Sequence, residues 1–291
     1  MIPKSLLLLK LGSLAIKILP LEHTIKLVEF VSSKLVHRSN SPKAKQLSKN
    51  IKRVNPNLSD KALSKITRQG FASYGRYWVE SLAMPNLSAQ EISDGFHVEG
   101  MSNITSVLEG GFSPILGLPH LGGWEWGAAW LHRVNGLEVA AVVEKLEPVE
   151  VFEWFVALRQ TYGIEVIALG DGAFKDLVKA VKAQKVICLL ADRDIAGNGI
   201  EVDFFGETTT LPAGPALLSF RTGSPILPTA VFFDGDKRLA EVGKPIWPTK
   251  TGDLKDDLYQ TTQSLALRLE GLICKAPEQW HMLNPNWPSD S

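Results

Sequence analysis

The sequence predicts an α/β fold: a mixed, mostly parallel sheet covered by helices on both faces, with an N-terminal amphipathic helical extension. Three observations carry this prediction. From residue 95 onward, short apolar runs alternate with helix-length amphipathic segments, the pattern of strands joined by helical crossovers. Most of those runs are apolar nearly throughout, as strands buried on both faces are. The first sixty residues differ in character: they are leucine-rich and carry eleven Lys and Arg against three acids. The chain of 291 residues can bury a sizeable core, so we expect a single domain over 1–291, with basic helices over 1–60 and the α/β core over 95–291.

The elements follow in order. Residues 1–20, MIPKSLLLLKLGSLAIKILP, read as a helix, but Lys4, Lys10 and Lys17 interrupt the apolar run that a membrane span or a signal peptide needs. Lys10 and Lys17 share one helical face, with Leu8, Ala15, Ile16 and Leu19 opposite and Leu7, Leu11, Leu14 and Ile18 nearer the lysines. Such a helix suits either a membrane interface or a place against the core. Residues 21–37 read as a second amphipathic helix, and 40–53 is a polar, basic stretch with Ser-Pro at 41–42. Ser59 or Asp60 caps a helix that Pro85 ends, and within it Phe71, Tyr74, Tyr77 and Trp78 fall at helical spacing, the pattern of a core face. Strands are expected at 96–100, 114–119, 137–143, 164–169, 185–191, 201–205, 225–233 and 238–246. Helices are expected near 123–134, 148–162, 171–184, 212–222 and 253–275. Asp234-Gly235-Asp236 joins the last two strands as a hairpin, which makes the sheet mixed.

Composition narrows the function classes. A formal net charge of zero gives no reason to expect nucleic acid, whereas the basic first sixty residues favour an anionic surface. The two cysteines, Cys188 and Cys274, sit in apolar contexts without metal-ligand spacing, which fits a reduced, cytoplasmic chain. No metal-binding cluster, no nucleophile elbow and no phosphate-binding GxxxxGK[ST] loop is present.

The chemistry concentrates in 113–126, SPILGLPHLGGWEW. A buried strand delivers His120 to its carboxyl end, where open α/β sheets form ligand crevices. Two glycines follow, then Glu125 at the start of a helix. Histidine takes up a proton near neutral pH, and a neighbouring carboxylate orients it. The alternative is a core histidine with a helix-start acid favoured by the helix dipole. Asp192, in the run CLLADRD, ends another strand as His120 does; it is a second candidate partner, or else part of a solvated turn. Glycines at 197 and 199, and a turn entering the helix at 212–222, offer backbone N–H groups for an anion. Glu201 is a further candidate acid for binding substrate, with a strand-edge residue as the commoner reading. His23, His37, His97, His132 and His281 lack a supporting acid and read as structural.

H-x4-E within PHLGGWEW resembles the signature block of the bacterial lipid A acyltransferase family, relatives of the H-x4-D glycerolipid acyltransferases. Phe204-Phe205-Gly206 and Leu211-Pro212-Ala213-Gly214-Pro215 match the family as well. The tail QWHMLNPNWP, residues 279–288, resembles its phosphatidylinositol mannoside branch. The resemblance covers roughly 60–288. It implies a glycerolipid-acyltransferase-like fold and a peripheral enzyme on the cytoplasmic face of the cell membrane. Such an enzyme moves a fatty acyl group from acyl-CoA to a mannose hydroxyl of mannosylated phosphatidylinositol, with acyl-CoA as co-substrate and no other cofactor. His120 is then the general base, with Asp192 or Glu125 as its acid, and transfer is direct. The Gly122-Gly123 turn or a basic side chain would supply the oxyanion donors. Glu144, Lys145 and Arg159 fall where the family contacts sugar and headgroup, although a plain surface charge is the commoner fate of each. Arg193 and Arg221 would neutralise phosphates, and the aromatic stripe over 71–78 would border an acyl pocket.

Overall fold

The computed structural model describes residues 3–38 and 41–290; Met1 and Asn40, where two of the expected stretches begin, and the side chain of His37 lie outside the described residues. Four helices come first: α1 (Lys4–Ile18), α2 (Leu21–Arg38), α3 (Pro42–Val54) and α4 (Asp60–Ala83). Sequence reading found no helix in the basic stretch that became α3. Ser41 caps it, its hydroxyl accepting from the Ala44 N–H at 3.2 Å, and Leu47 and Ile51, one turn apart, are buried. Ser59 caps α4 in the same way.

The alternating part follows: α5 (Ala89–Asp94), β1 (Phe96–Glu99), α6 (Met101–Glu109), β2 (Ile115–Leu118), α7 (Trp124–Arg133), β3 (Val139–Val143), α8 (Val149–Gln160), β4 (Ile164–Ala168), α9 (Ala173–Lys182) and β5 (Val186–Leu190). The chain continues through β6 (Ile200–Phe204), β7 (Glu207–Leu211), α10 (Gly214–Thr222), β8 (Ile226–Asp234), β9 (Lys237–Val242) and α11 (Leu254–Lys275). Seven strands make one sheet in the order β1-β9-β8-β2-β5-β3-β4. All neighbours run parallel except β8 and β9, the hairpin that makes the sheet mixed.

Side chains alternate through the sheet into two cores. In β5, Ile187 and Leu189 join the apolar cluster containing residues of α9, α10 and α11, while Val186 and Cys188 join the cluster of α6, α7 and α8. The strand expected at 201–205 does not enter this sheet. As β6 it pairs antiparallel with β7 in a separate ribbon, which packs on α11 through Val202, Phe204 and Leu211.

The first helix divides differently from its sequence pattern. Leu6, Leu9 and Ile16 pack into the second cluster. Leu7, Leu11, Leu14 and Ile18, the residues nearer the lysines, are instead exposed, as are Leu8 and Leu19. No helix among the described residues is long and apolar enough to cross a membrane.

Candidate active site

Strand register builds the site. β2 and β5 are parallel neighbours with Leu118 opposite Leu190, and the Ala191 N–H still donates to the Leu118 carbonyl at 2.8 Å. One further step past both strand ends sets His120 beside Asp192. The His120 Nδ1–H donates to Asp192 Oδ1 at 2.6 Å, and the His120 backbone N–H donates to Oδ2 at 2.9 Å. Asp192 is wholly buried, whereas the imidazole keeps 28% of its surface. Burial works against the Asp192 charge, but the imidazole, the Trp280 indole N–H and the His120 amide more than offset it and hold the carboxyl below its ordinary range. With Nδ1 committed to the carboxylate, Nε2 is the nitrogen left to accept a proton.

The turn after His120 is closed tightly. Gly122 has φ +55°, and a Cβ there would stand 1.9 Å from the Val231 carbonyl oxygen, so only glycine fits. The Gly122 N–H donates to the Gln279 carbonyl and the Gly123 N–H to the Val231 carbonyl, each at 3.0 Å. The expected use of these two glycine amides for an oxyanion is thereby corrected: both are spent on the protein itself.

Glu125 does not orient His120, the second correction. From the first turn of α7 it enters a different cluster, 2% exposed. Its Oε1 accepts from the Tyr77 hydroxyl (3.0 Å) and from Nε and Nη2 of Arg159 (3.0 and 2.7 Å), and its Oε2 accepts from the Tyr162 hydroxyl at 2.6 Å. Burial again opposes the charge, and the Arg159 guanidinium with the two hydroxyls outweighs it, so the carboxyl titrates below its ordinary range. Burial and the Glu125 carboxylate push both tyrosines up. Arg159, expected at the surface for a headgroup, is buried and committed to Glu125, with the Phe155 ring 5.5 Å away.

The remaining candidates separate. Glu144 and Lys145 lie exposed just past β3, at the same sheet edge as His120. Arg193 is half-buried next to Asp192 and carries no hydrogen bond or ion pair among the described residues. Glu201 is exposed on β6, opposite Thr210. Arg221 lies in the last turn of α10, just before β8 starts, and β8 is parallel to β2; it therefore belongs to the opposite edge of the sheet from His120. The Gly197 and Gly199 N–H groups, expected to cradle an anion, donate to Asp194 at 3.0 and 2.7 Å.

Sequence reading missed three contributors. Trp280 donates its indole N–H to Asp192 Oδ2 at 2.8 Å. The His281 N–H donates to the His120 carbonyl at 2.7 Å, while its ring contacts Tyr74 and Tyr77 and its Nε2 pairs with the Ser73 hydroxyl at 2.9 Å. Burial, then the neighbouring His120, push the His281 imidazole down to about 3, so it is neutral. Tyr77, from the aromatic stripe, meets Glu125. The tail motif and the stripe were visible in the sequence, but their targets lie far away along the chain.

Between the sheet and α7 runs a narrow apolar cavity of about 20 Å³, bordered by Leu116 and Leu118 of β2, by Trp124, Ala128 and Leu131 of α7, and by Cys188. Burial pushes the Cys188 thiol up to about 12, so it stays protonated and is a poor nucleophile.

Comparison with known proteins agrees with this architecture. Residues 5–289 match the family described as bacterial lipid A biosynthesis acyltransferase. The phosphatidylinositol mannoside acyltransferase of Mycolicibacterium smegmatis is 34% identical over 251 residues, 84% of this chain and 80% of that protein. Its counterpart in Mycobacterium tuberculosis H37Rv is 32% identical over 284 residues, 96% of this chain and 87% of that protein. With nearly its whole length matched, the chain belongs to the bacterial lipid A biosynthesis acyltransferase family.

Proposed function

We propose that this acyltransferase moves a fatty acyl group from acyl-CoA to a mannose hydroxyl of phosphatidylinositol mannoside. The observation that carries the reading is the His120–Asp192 pair at the carboxyl edge of the sheet, an oriented and accessible base over a buried carboxylate. Nε2 of His120 takes the hydroxyl proton as the sugar oxygen attacks the thioester carbonyl carbon. The carbon–sulfur bond then breaks, and the imidazolium returns its proton to the departing thiolate. Asp192 stabilises the imidazolium between these steps. Arg193, which follows Asp192 in the chain and has no hydrogen bond or ion pair among the described residues, is the donor we assign to the developing oxyanion. Direct transfer is favoured over an acyl-enzyme because Cys188 is held as a buried thiol.

The acceptor is inferred from the mycobacterial relatives, and the family description favours a second reading, a lipid A-like acceptor. An acyl-transfer assay with acyl-CoA against mannosylated phosphatidylinositol, a lipid A precursor and a lysophospholipid separates them. Transfer to the mannolipid is expected, and in His120→Ala it should fall by about 10²–10⁴. A folded His120→Ala with wild-type turnover would overturn the base assignment. Binding without turnover on any acceptor would mark a lipid-binding protein instead.

The exposed leucines of α1 suit docking on an anionic membrane, with Lys10 and Lys17 flanking them. Lys26, Lys65 and Arg68 line a shallow cleft of about 390 Å³ between α2 and α4, with Phe30 at its rim. Leu11→Glu with Ile18→Glu should weaken cosedimentation with vesicles containing phosphatidylinositol by about tenfold or more. Unchanged cosedimentation would rule this surface out.

A further inference from the structure

We propose that Trp280 is a positioning residue for the transfer reaction: its indole N–H holds Asp192 in the one orientation that lets His120 act as base. This inference rests on the function proposed above.

The geometry divides the labour between the two carboxylate oxygens. Among the described residues, Oδ1 of Asp192 bonds only with His120 Nδ1, at 2.6 Å. Oδ2 is gripped from two sides, by the His120 backbone N–H at 2.9 Å and by Trp280 Nε1 at 2.8 Å. A carboxylate fixed at one oxygen cannot swivel about its terminal torsion, a broad, two-fold well that the side chain would otherwise explore. Oδ1 therefore stays aimed at the imidazole. The His120 amide alone cannot do this, because it belongs to the same turn as the ring and would move with it. Trp280 comes from elsewhere in the chain.

Its own placement is built with care. The Gly122 N–H to Gln279 carbonyl and His281 N–H to His120 carbonyl bonds, with the antiparallel bridge between Leu121 and Trp280, lay the tail along the turn as a short strand. The Gln279 side chain then grips both the N–H and the carbonyl of Phe233 in β8, at 2.6 and 2.9 Å. The Trp280 ring is wholly buried, with the Phe205 and Phe204 rings 5.7 and 6.3 Å away and Trp287 at 6.3 Å. Packing of this kind would serve a phenylalanine equally well. The one feature that packing leaves unexplained is the direction of the indole N–H, which points at the buried carboxylate. The tail motif QWHMLNPNWP thus has a reason to carry tryptophan at this position.

The test is a double-mutant cycle on the full-length protein with acyl-CoA and mannosylated phosphatidylinositol. Trp280→Phe keeps the ring and deletes the N–H. A hydrogen bond to a charged group is strong enough that kcat should fall about tenfold to a hundredfold, with KM for the acceptor unchanged within about twofold. In an Asp192→Ala background the same change should cost less than about threefold, because the group it acts through is gone. Equal losses in both backgrounds would mean that Trp280 acts by packing alone, and wild-type kcat in Trp280→Phe would equally overturn the proposal. Should the phenylalanine variant lose cooperative unfolding, benzothienylalanine at position 280, a sulfur isostere lacking the N–H, takes its place with the same expectations. A parallel His120→Ala sample keeps the two readings apart: if it too retains turnover, the base assignment has failed, whereas its inactivity beside an active Trp280→Phe sinks only this inference.

Discussion

Asp192 and Glu125 are both buried acids beside the turn that follows β2, and both titrate below the ordinary carboxylate range, yet they meet partners of opposite character. Asp192 faces an imidazole that is still reached by solvent and whose Nε2 is not taken up by the carboxylate. Glu125 faces a guanidinium that never gives up its proton, and it is boxed in by two tyrosine hydroxyls. Burial and a depressed pKa therefore do not distinguish a working acid from a strut. What distinguishes them is whether the partner's proton can leave and whether the partner touches the outside. By that criterion we assign Asp192 to the proposed chemistry, and Glu125 to the framework joining α4, α7 and α8.

Substitutions put the contrast at risk. Asp192→Asn keeps the shape but removes the charge that orients and stabilises the imidazolium; kcat should fall by about 10²–10⁴ in the acyl-transfer assay. If it instead lowers stability and leaves kcat near wild type, the two acids have been assigned the wrong way round. Glu125→Gln should do the converse. It leaves the Arg159 charge buried without its counterpart, a loss of about 3–5 kcal/mol measurable by urea unfolding. Turnover of the protein that remains folded should stay within about tenfold of wild type. A large loss of kcat at full stability would bring Glu125 back into the reaction.

A smaller effect comes from His281, which lies between the two systems. Its imidazole titrates at about 3 when folded and at its ordinary 6.5 when unfolded, so between these values the unfolded chain holds a proton that the folded chain lacks. Stability from this group is complete above pH 6.5 and is lost as pH falls toward 3. The depressed carboxyls of Asp192 and Glu125 act in the same direction, but only at the acid end of that range. The melting temperature should thus decline on acidification from pH 7 to 5, and His281→Gln should flatten the decline. An unchanged slope in the variant would assign it to other groups.

Much of this was legible in the chain. Parallel strands buried on both faces are continuous apolar runs, so β2, β3, β5 and β8 announced themselves, and a histidine just past such a run was conspicuous. The choice between Asp192 and Glu125 was not legible. It depends on β5 pairing beside β2, a neighbour relation between strands about seventy residues apart that no local spacing encodes. Glu125 lay nearer along the chain, but a helix begins between it and His120 and turns it toward α4 and α8. β7 escaped notice because Glu207-Thr208-Thr209-Thr210 buries only Thr209 of its four side chains. The positions of Arg159 and Arg221 show the general difficulty. A charge's sign is written in the sequence, but which edge of the sheet it reaches, and whether a buried acid claims it first, depends on the assembled fold.

The strand that Gln279, Trp280 and His281 lay along the glycine turn has a bearing on biosynthesis. A nascent chain emerging from the ribosome exposes His120 and Asp192 long before the residues that close over them have been made. Without that closing segment, the turn keeps an unsatisfied amide at Gly122 and an aspartate without its indole clasp. The turn and the carboxylate thus depend on a segment that is made far later in the chain than either of them.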